Sequence, residues 1–311
     1  MNAHAEIAAA PRPVRLKFAI GARTLFAVEP RLVRVPLTLA EARSEAMPAL
    51  PALAGDADGY LVTSLPEARV ATLAAQAGGM LPFVRQRYTR HYLDFAGGFE
   101  AWLAGLSSNA RQGLKRKAKK IAAGGVLDIR RFRTPGELAA FHPVARAISA
   151  TTYQERLLGS GLPEDAGFLA AMRDLGAAGQ VRAWLLYVGG EPAAYLYCPV
   201  QGDTVIYAFV GHDPRFNELS PGAVLQLEAM RDLFGEGRFA AFDFTEGEGQ
   251  HKRQFATGGV ACVDLLMLRP TLANRGVIAA LAGFDGAVAL AKRVVQRVGL
   301  GGLAKRLRRG G

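Results

Sequence analysis

The order of strand, turn and helix signals between residues 181 and 268 constrains the fold of this chain more than any other feature. Three segments rich in Val, Ile, Tyr, Phe and Trp (VRAWLLYV, AAYLYCPV and TVIYAFV) are separated by the turn sequences GGEP and QGD. A loop ends in Ser220-Pro221-Gly222, AVLQLEAMRDLF follows with apolar residues at helical spacing, and FAAFDF reads as a strand. The pattern predicts three strands joined by hairpin turns, then a helix and a further strand.

The Ser-Pro-Gly turn is a candidate anion-binding site. Ser220 is a favourable N-cap, Pro221 suits the first helical position, and Gly222 lets a ligand approach the backbone closely. The start of a helix presents free N–H groups and the positive end of the helix dipole, both of which attract anions. The alternative is an ordinary helix cap that binds no ligand.

This order, together with the motifs around it, resembles the GNAT superfamily of acyltransferases, in particular its Fem-type, cellulose-biosynthesis-associated branch. The matching motifs lie between residues 97 and 268 and are, in chain order, NARQGLKRKAKK, TYQER, GEPAA, GHDP, LSPG, FDF and GQHK. The resemblance implies an α/β (α+β) fold with a mixed, mostly antiparallel sheet flanked by helices. One departure concerns the pyrophosphate loop, since Ser-Pro-Gly stands where the family usually has a longer Gly-rich pattern that begins with Gln or Arg.

Fem-type proteins carry two GNAT-like lobes in tandem, and the resemblance implies the same division here. Residues 1–96 would form the first, more divergent lobe, and residues 97–270 the acyltransferase domain. Residues 271–311 differ in character, because an Ala/Val/Leu helix is followed by a Gly-flanked basic segment. We expect them to form a separate basic tail.

The resemblance implies an acyl-CoA co-substrate that lies along the splayed ends of two strands, VIYAFVG and FAAFDF. Backbone N–H groups near Val210 and Gly211 would polarise the thioester carbonyl, as an oxyanion hole does. Ser220, Pro221 and Gly222 would hold the pyrophosphate through backbone donors. An amine would attack the thioester directly, so no metal and no covalent enzyme intermediate is expected.

Two acidic residues are candidates for the general base. Asp243 lies in a strand between Phe242 and Phe244, and a carboxylate in such a position needs a partner or a pocket. It is either a base for the attacking amine or one half of a structural ion pair with Arg or Lys. Glu246 lies where the strand ends, and is either a base or a solvated loop residue.

The remaining candidates flank the same site in sequence. His212 and Tyr153 are further catalytic candidates, although a lone His is more often structural than catalytic. Arg156, His251 and Lys252 are candidates for substrate binding, with Lys252 matching the lysine that follows the Gly-rich loop in the family. For each of them the alternative is a packing or surface residue.

The positive charge of the chain is concentrated in two segments. The formal net charge is +11, and residues 109–133 carry nine Lys or Arg against one Asp, while residues 270–311 carry eight against one Asp. A basic helix is most simply a solvated face, but it also suits RNA or an anionic lipid. Aminoacyl-tRNA is therefore an alternative donor, less favoured because stacking aromatic residues are missing nearby. A non-catalytic protein that binds anionic polysaccharide, lipid or nucleic acid is a further alternative.

The chain shows the features of a cytoplasmic protein. Cys198 and Cys262 lie in apolar strand patterns without a metal-binding neighbour, which indicates reduced core residues. The first residues lack a signal-peptide pattern, and no apolar run reaches the ~20 residues that a membrane-spanning helix needs. The tail combines an apolar stripe with basic residues, which suits peripheral contact with an anionic membrane. Docking of that helix on the protein core is the alternative.

Overall fold

The computed structural model describes residues 10–20, 23–123, 127–152, 155, 161–247 and 249–297. The density of internal contacts divides the chain into two units, one of residues 88–261 and one of residues 1–87 with residues 262–311. The sequence predicts boundaries after residues 96 and 270, whereas this division places the C-terminal residues with the N-terminal ones. The interpretation of the N-terminal part as a second GNAT-like lobe stays a prediction.

Strands and helices follow one another along the described chain. The strands are β1 (Arg12–Pro13), β2 (Leu16–Ile20), β3 (Arg23–Val28), β4 (Arg31–Pro36), β5 (Gly59–Pro66), β6 (Leu81–Asp94), β7 (Leu127–Phe132), β8 (Val181–Val188), β9 (Glu191–Gln201), β10 (Thr204–Ile206), β11 (Phe209–His212), β12 (Ala241–Asp243) and β13 (Gly258–Leu268). The helices are α1 (Leu39–Arg43), α2 (Val70–Gln76), α3 (Gly98–Gly105), α4 (Ser108–Ala123), α5 (Pro135–Thr151), α6 (Ala166–Ala177), α7 (Pro221–Glu236), α8 (Gln250–Phe255) and α9 (Leu272–Arg297). Short 3-10 helices cover Glu67–Arg69 and Pro214–Leu219.

The unit of residues 1–87 and 262–311 contains a small mixed sheet. Strand β4 pairs antiparallel with β1 and parallel with β5, and β5 pairs antiparallel with β13. Strands β2 and β3 form a separate hairpin. One apolar core joins β4, β5, α2 and β13 through Val33, Val62, Leu65, Leu73, Val263 and Leu265.

Helix α9 packs within this unit. Leu281 is buried, and Val277, Ile278 and Phe284 pack against a cluster that includes Phe18, Leu61, Leu266 and Leu268. The rings of Phe18 and Phe284 meet edge to face at 5.5 Å. These contacts favour the docked alternative for this part of the predicted tail, whereas residues 298–311 lie outside the described residues. No helix in the described part of the chain is long and apolar enough to cross a membrane.

The unit of residues 88–261 is built on a mostly antiparallel sheet, which confirms the predicted fold class. Its strands follow the order β6, β12, β10, β9, β8, β7, and β11 pairs with β9. All of these pairs are antiparallel except β10 with β12, which run parallel. A parallel pair within an antiparallel meander requires a crossover, and helix α7 provides it between β10–β11 and β12.

Helices cover both faces of this sheet because its central strands are apolar on both faces. Alternate residues of a strand point to opposite faces. In β8, Trp184 and Leu186 pack in the cluster formed with α4 and α7, while Ala183 and Leu185 pack in the cluster formed with α5 and α6. Cys198 of β9 is fully buried, and Cys262 of the other unit is also buried, so the prediction of two core cysteines is confirmed.

Helices α5 and α7 follow the usual sequence signals for helix ends only in part. Thr134 and Glu137 form a capping box at the start of α5. Helix α5 then continues to Thr151, so Pro143 does not end it. At the start of α7, Ser220 is the N-cap, but its side chain makes no capping hydrogen bond, contrary to the expectation for this residue type. The reason is its left-handed backbone, with φ 53° and ψ 51°, where an N-cap residue normally has an extended one.

An ion cluster ties the C-terminal half of α7 to β7 and β8. Glu236 accepts hydrogen bonds from Arg182 at 2.7–3.0 Å and from Arg133. Asp232 accepts from Arg131 at 2.8 Å, from Arg133 at 2.6 Å and from the Trp184 indole at 3.1 Å. Burial pushes the pKa of Glu236 upward, but the hydrogen bonds from Arg182 and Arg133 outweigh it and hold the pKa below its ordinary value of 4.5.

Replacement of Glu236 by Gln is expected to lower the free energy of unfolding by about 1–3 kcal/mol at neutral pH, because charged hydrogen bonds are lost. A carboxyl whose folded pKa is depressed stabilises the fold above its unfolded pKa and loses that contribution as the pH falls through its folded pKa. Urea unfolding should therefore show a wild-type advantage at pH 7 that shrinks as the pH falls below about 4.5. An advantage independent of pH would contradict this account of the cluster.

Candidate active site

The sheet opens between β11 and β12. Strand β10 runs parallel to β12 as far as Ile206 opposite Asp243, and the Tyr207 N–H donates to the Asp243 carbonyl at 2.9 Å. Along β9, Val205 pairs with Val200 but Phe209 pairs with Tyr197, so three residues face two. Because of this bulge, β11 pairs only with β9 among the described strands. The other edge of β11 has no strand partner in the described chain.

The register shows which backbone groups of β11 point to this edge. Gly211 pairs with Tyr195 of β9, and the Asp213 N–H donates to the Ala193 carbonyl at 2.9 Å. Antiparallel strands direct the N–H of every second residue at their partner. The Val210 and His212 N–H groups therefore point away from β9. Of the predicted oxyanion donors, the register favours Val210 over Gly211, and adds His212.

Helix α7 begins beside this edge. Pro221 is the first helical residue and is buried, and Gly222 follows it with no atom closer than 3.9 Å to the position of an added Cβ. That nearest atom is Nδ1 of His212. The backbone of Gly222 is thus approachable, and the positive end of the α7 dipole faces the same space as the end of β11.

A cavity of about 720 Å³ lies between β11 and the start of α7. This volume is within the range of small-molecule and cofactor sites. The residues that line it are Thr152, Tyr207, Val210, Gly211, His212, Pro214, Asn217, Ser220, Gly222, Ala223 and Gln226. The cavity thus brings together five of the residues predicted from the sequence: Val210, Gly211, His212, Ser220 and Gly222.

Gly211 is held to glycine by packing, because a side chain there has no room. A Cβ at this position would lie 2.5 Å from Cε1 of Tyr195 and 3.1 Å from Cγ2 of Thr152. Tyr195 is only 2% exposed, so its ring has little freedom to move. The absence of a side chain is what lets β11 pass so close to the ring.

Replacement of Gly211 by Ala is expected to lower the free energy of unfolding by about 1–3 kcal/mol, the usual cost of overpacking. Gly222→Ala is the matched control, because it lines the same cavity but its Cβ meets only ordinary contacts. Urea unfolding should place the midpoint of Gly211→Ala below that of the wild type and leave Gly222→Ala at or above it. Equal urea midpoints for the two variants would show that the ring of Tyr195 can move aside without a loss of stability.

His212 and Tyr207 are the titratable side chains at the wall of the cavity. His212 is exposed, and its Nε2 lies 2.7 Å from Oδ1 of Asn217. Tyr207 is buried, and burial raises the pKa of its hydroxyl well above the ordinary value. At neutral pH Tyr207 is therefore protonated and can donate a hydrogen bond. It was not singled out from the sequence, although it is the one tyrosine in the segment VIYAFVG, which was expected to border the site.

Asp243 lies in a closed ion pair. It is fully buried, and its carboxylate accepts hydrogen bonds from Arg90 at 3.2 and 2.5 Å and from the Thr245 N–H at 2.8 Å. Arg90 comes from β6 and is itself 7% exposed. Asp243 does not line the cavity. This geometry favours the structural alternative for Asp243 over the role of general base.

Comparison with protein families identifies the part of the chain that contains this site. Residues 108–253 match the model of the acetyltransferase (GNAT) domain, from α4 to α8 and including every residue of the cavity wall. The chain contains a GNAT domain. Within that domain, β10–β11 and β12 are the two strands that separate, and α7 is the helix that starts at the opening.

The fold agrees with that of FemX. The crystal structure of FemX is similar over 83% of this chain and 88% of that one, with a TM-score of 0.51 and 11% identity. The C-terminal domain of a putative lysylphosphatidylglycerol synthetase from Agrobacterium fabrum matches over 73% of this chain and 72% of its own, with a TM-score of 0.48 and 12% identity. No curated protein sequence matches the chain. At these identities the likeness to FemX shows the fold alone.

The other predicted residues of the GNAT domain lie away from the cavity wall or outside the described residues. The Glu246 side chain is exposed, and its backbone carbonyl accepts a hydrogen bond from Nζ of Lys252. Tyr153 and Arg156 lie outside the described residues, as does the side chain of His251. The described residues contain no group of three or more His, Cys, Asp or Glu that could hold a metal ion.

Helix α4 presents the basic segment of the GNAT domain to solvent. Leu114 and Ile121 are buried in the core, while Arg111, Lys115, Arg116, Lys119 and Lys120 are exposed. Lys120 also donates to the Glu218 carbonyl at 2.9 Å, so this helix adjoins the 3-10 segment that leads into α7. The basic face is therefore solvated, and its C-terminal end lies near the segment that borders the cavity.

Proposed function

We propose that the protein is an acyl-CoA-dependent N-acyltransferase, with the cavity between β11 and α7 as the donor site. The observation that carries the proposal is that the free edge of β11 and the N-terminus of α7 face one cavity. A donor with a diphosphate and a thioester needs an anion site and a carbonyl-binding site along one cavity, separated by the arm that joins the two groups. Helix α7 supplies the first and the β11 backbone supplies the second.

The proposed chemistry is direct transfer. The amine nitrogen attacks the thioester carbonyl, and the carbonyl oxygen gains negative charge next to the outward N–H groups of Val210 and His212. The carbon–sulfur bond then breaks, and the thiolate takes a proton. That proton comes from solvent, while Tyr207 at the wall of the cavity donates a hydrogen bond to the departing sulfur. His212 accepts the proton of the amine, because it is exposed at the cavity wall while Asp243 is held by Arg90.

The acceptor in this proposal is a small-molecule or glycan amine. The cavity is apolar along much of its wall, and none of its described lining residues is a carboxylate. His212 and Asn217 are exposed, so the acceptor would enter beside them. Attachment to an anionic membrane through residues 271–311 stays a proposal. The face of α9 that packs in the core of its own unit would not take part in that contact.

Isothermal titration calorimetry of the wild-type protein with acetyl-CoA and with CoA tests the donor directly. We expect saturable one-site binding of both, at a 1:1 ratio. Adenosine should serve as the negative control, because it lacks the diphosphate and the arm that carries the thiol. Absence of binding heat for acetyl-CoA, CoA and longer acyl-CoA alike would overturn the donor assignment.

Transfer of an aminoacyl group from tRNA is the second candidate, and the exposed basic face of α4 favours it. Five Lys and Arg side chains on one helix can neutralise several phosphates, and such binding weakens steeply as salt rises. A filter-binding assay with aminoacyl-tRNA over a salt series distinguishes the two donors. Tight binding of aminoacyl-tRNA without binding of acyl-CoA would favour this candidate over the first.

A further inference from the structure

Gln226 is a buried polar residue at the wall of the cavity. It lies in the second turn of α7, is 3% exposed, and contributes to the lining. Its Nε2 makes no hydrogen bond with any residue that the structure describes. A buried amide without a partner is unfavourable, and such groups in native proteins call for an explanation.

The position of Gln226 relative to Gly222 indicates what its partner is. The two residues are four apart on α7, so they lie on the same face of the helix, about 6 Å apart along its axis. Gly222 marks the start of the helix, where the diphosphate of the donor binds in the proposed function. Gln226 therefore lies one turn deeper, opposite β11, beside the path from the diphosphate to the carbonyl-binding N–H groups.

We propose that the side-chain amide of Gln226 contributes to donor binding by donating a hydrogen bond to an oxygen in the arm that joins the diphosphate to the thioester. This inference rests on the proposed function, since it assumes a donor of the CoA type. The arm of CoA carries amide carbonyls and a hydroxyl, which are suitable acceptors. The terminal amide of Gln turns readily about its last side-chain bond, so it can direct Nε2 to such an oxygen when the donor enters.

If the Gln226 amide binds the donor, its replacement should have opposite effects on the stability of the free protein and on donor binding. In the free protein, an apolar residue of similar size removes a buried group without a partner and should stabilise the fold. In the complex, the same replacement removes a hydrogen bond that the donor would otherwise gain. A purely structural glutamine would behave differently, since its loss would destabilise the fold and leave donor binding unchanged.

Gln226→Leu and Gln226→Met test this pair of effects, with Gln112→Leu on the exposed face of α4 as the matched control. Urea unfolding of the free proteins and calorimetry with CoA are the two measurements. We expect both variants at position 226 to unfold at the wild-type urea midpoint or above it, and to bind CoA about 5- to 100-fold more weakly. The control variant should match the wild type in CoA affinity.

The outcomes separate this inference from the proposed function. If the wild type binds CoA and both variants bind it equally well, Gln226 makes no contact with the donor and the inference is wrong. A lower urea midpoint in both variants with unchanged affinity would assign Gln226 a structural role instead. If the wild type itself does not bind CoA, the proposed function fails, and with it the donor of this inference.

Discussion

Replacement of Gly222 by Glu is expected to abolish binding of acyl-CoA, with a loss of affinity of at least about 100-fold. The new side chain would extend from the first turn of α7 into the cavity, where the structure leaves the space beside Gly222 open. Its carboxylate would occupy the region where the helix dipole favours an anion and would repel a diphosphate. Because the backbone of Gly222 is not in a left-handed conformation, the fold itself should tolerate the change.

Gly136→Glu is a closely matched control for this variant. Gly136 follows Pro135 at the start of α5 just as Gly222 follows Pro221 at the start of α7, and it is exposed with open space around it. It does not line the cavity. Calorimetry should show wild-type affinity for acetyl-CoA in Gly136→Glu and no binding heat in Gly222→Glu, with matching circular dichroism spectra. Equal loss in both variants would mean that the charge acts at a distance rather than at the site.

Replacement of Arg90 by Met is expected to lower the free energy of unfolding by about 3–5 kcal/mol, which is the usual cost of leaving a buried charge without its partner. The side chains of Arg90 and Asp243 are 9% and 1% exposed, so water cannot replace the lost guanidinium. The pair also joins β6 to β12, the strand that borders the opening of the sheet. Thermal and urea unfolding would measure the loss.

The double variant Arg90→Met/Asp243→Asn controls for the loss of packing. The asparagine side chain would be neutral and could still accept the Thr245 N–H, so the double variant should recover about 1–2 kcal/mol relative to Arg90→Met alone. A double variant no more stable than the single one would show that the cost arises from packing of Arg90 rather than from the stranded carboxylate.

The single variant Asp243→Asn separates the two roles that the sequence left open for this residue. Turnover close to the wild type in a folded Asp243→Asn protein would agree with a structural ion pair. A fall of about 10²–10⁴-fold in kcat would instead restore Asp243 as the general base.

The sequence singled out five of the eleven residues that line the cavity, because its signals there are local. The strand patterns, the helix after Ser220-Pro221-Gly222 and the basic face of α4 all depend on neighbours a few residues away. The positions of Val210, His212 and Gly222 at one cavity follow from that order of elements. Gly211 is the first residue of the motif GHDP. The structure shows why this position is a glycine, since a side chain would collide with the ring of Tyr195.

What the sequence could not predict depends on contacts between distant residues or on a single register shift. Arg90 and Asp243 are 153 positions apart, so no local pattern joins them. The bulge between β10 and β11 decides which N–H groups point to the cavity, and one inserted residue changes that assignment. Gln226 was part of an apolar helical pattern, and only its burial without a partner distinguishes it.

The most direct test of the account is the response of individual backbone amides to CoA, measured by ¹⁵N-resolved NMR on the assigned wild-type protein. A donor site between β11 and α7 predicts the largest chemical-shift changes at the N–H groups of Val210, His212 and Gly222, and no change at Gly136. Saturation should follow the affinity found by calorimetry. Shifts confined to α4, or no shift at these three amides at saturating CoA, would contradict a donor site between β11 and α7.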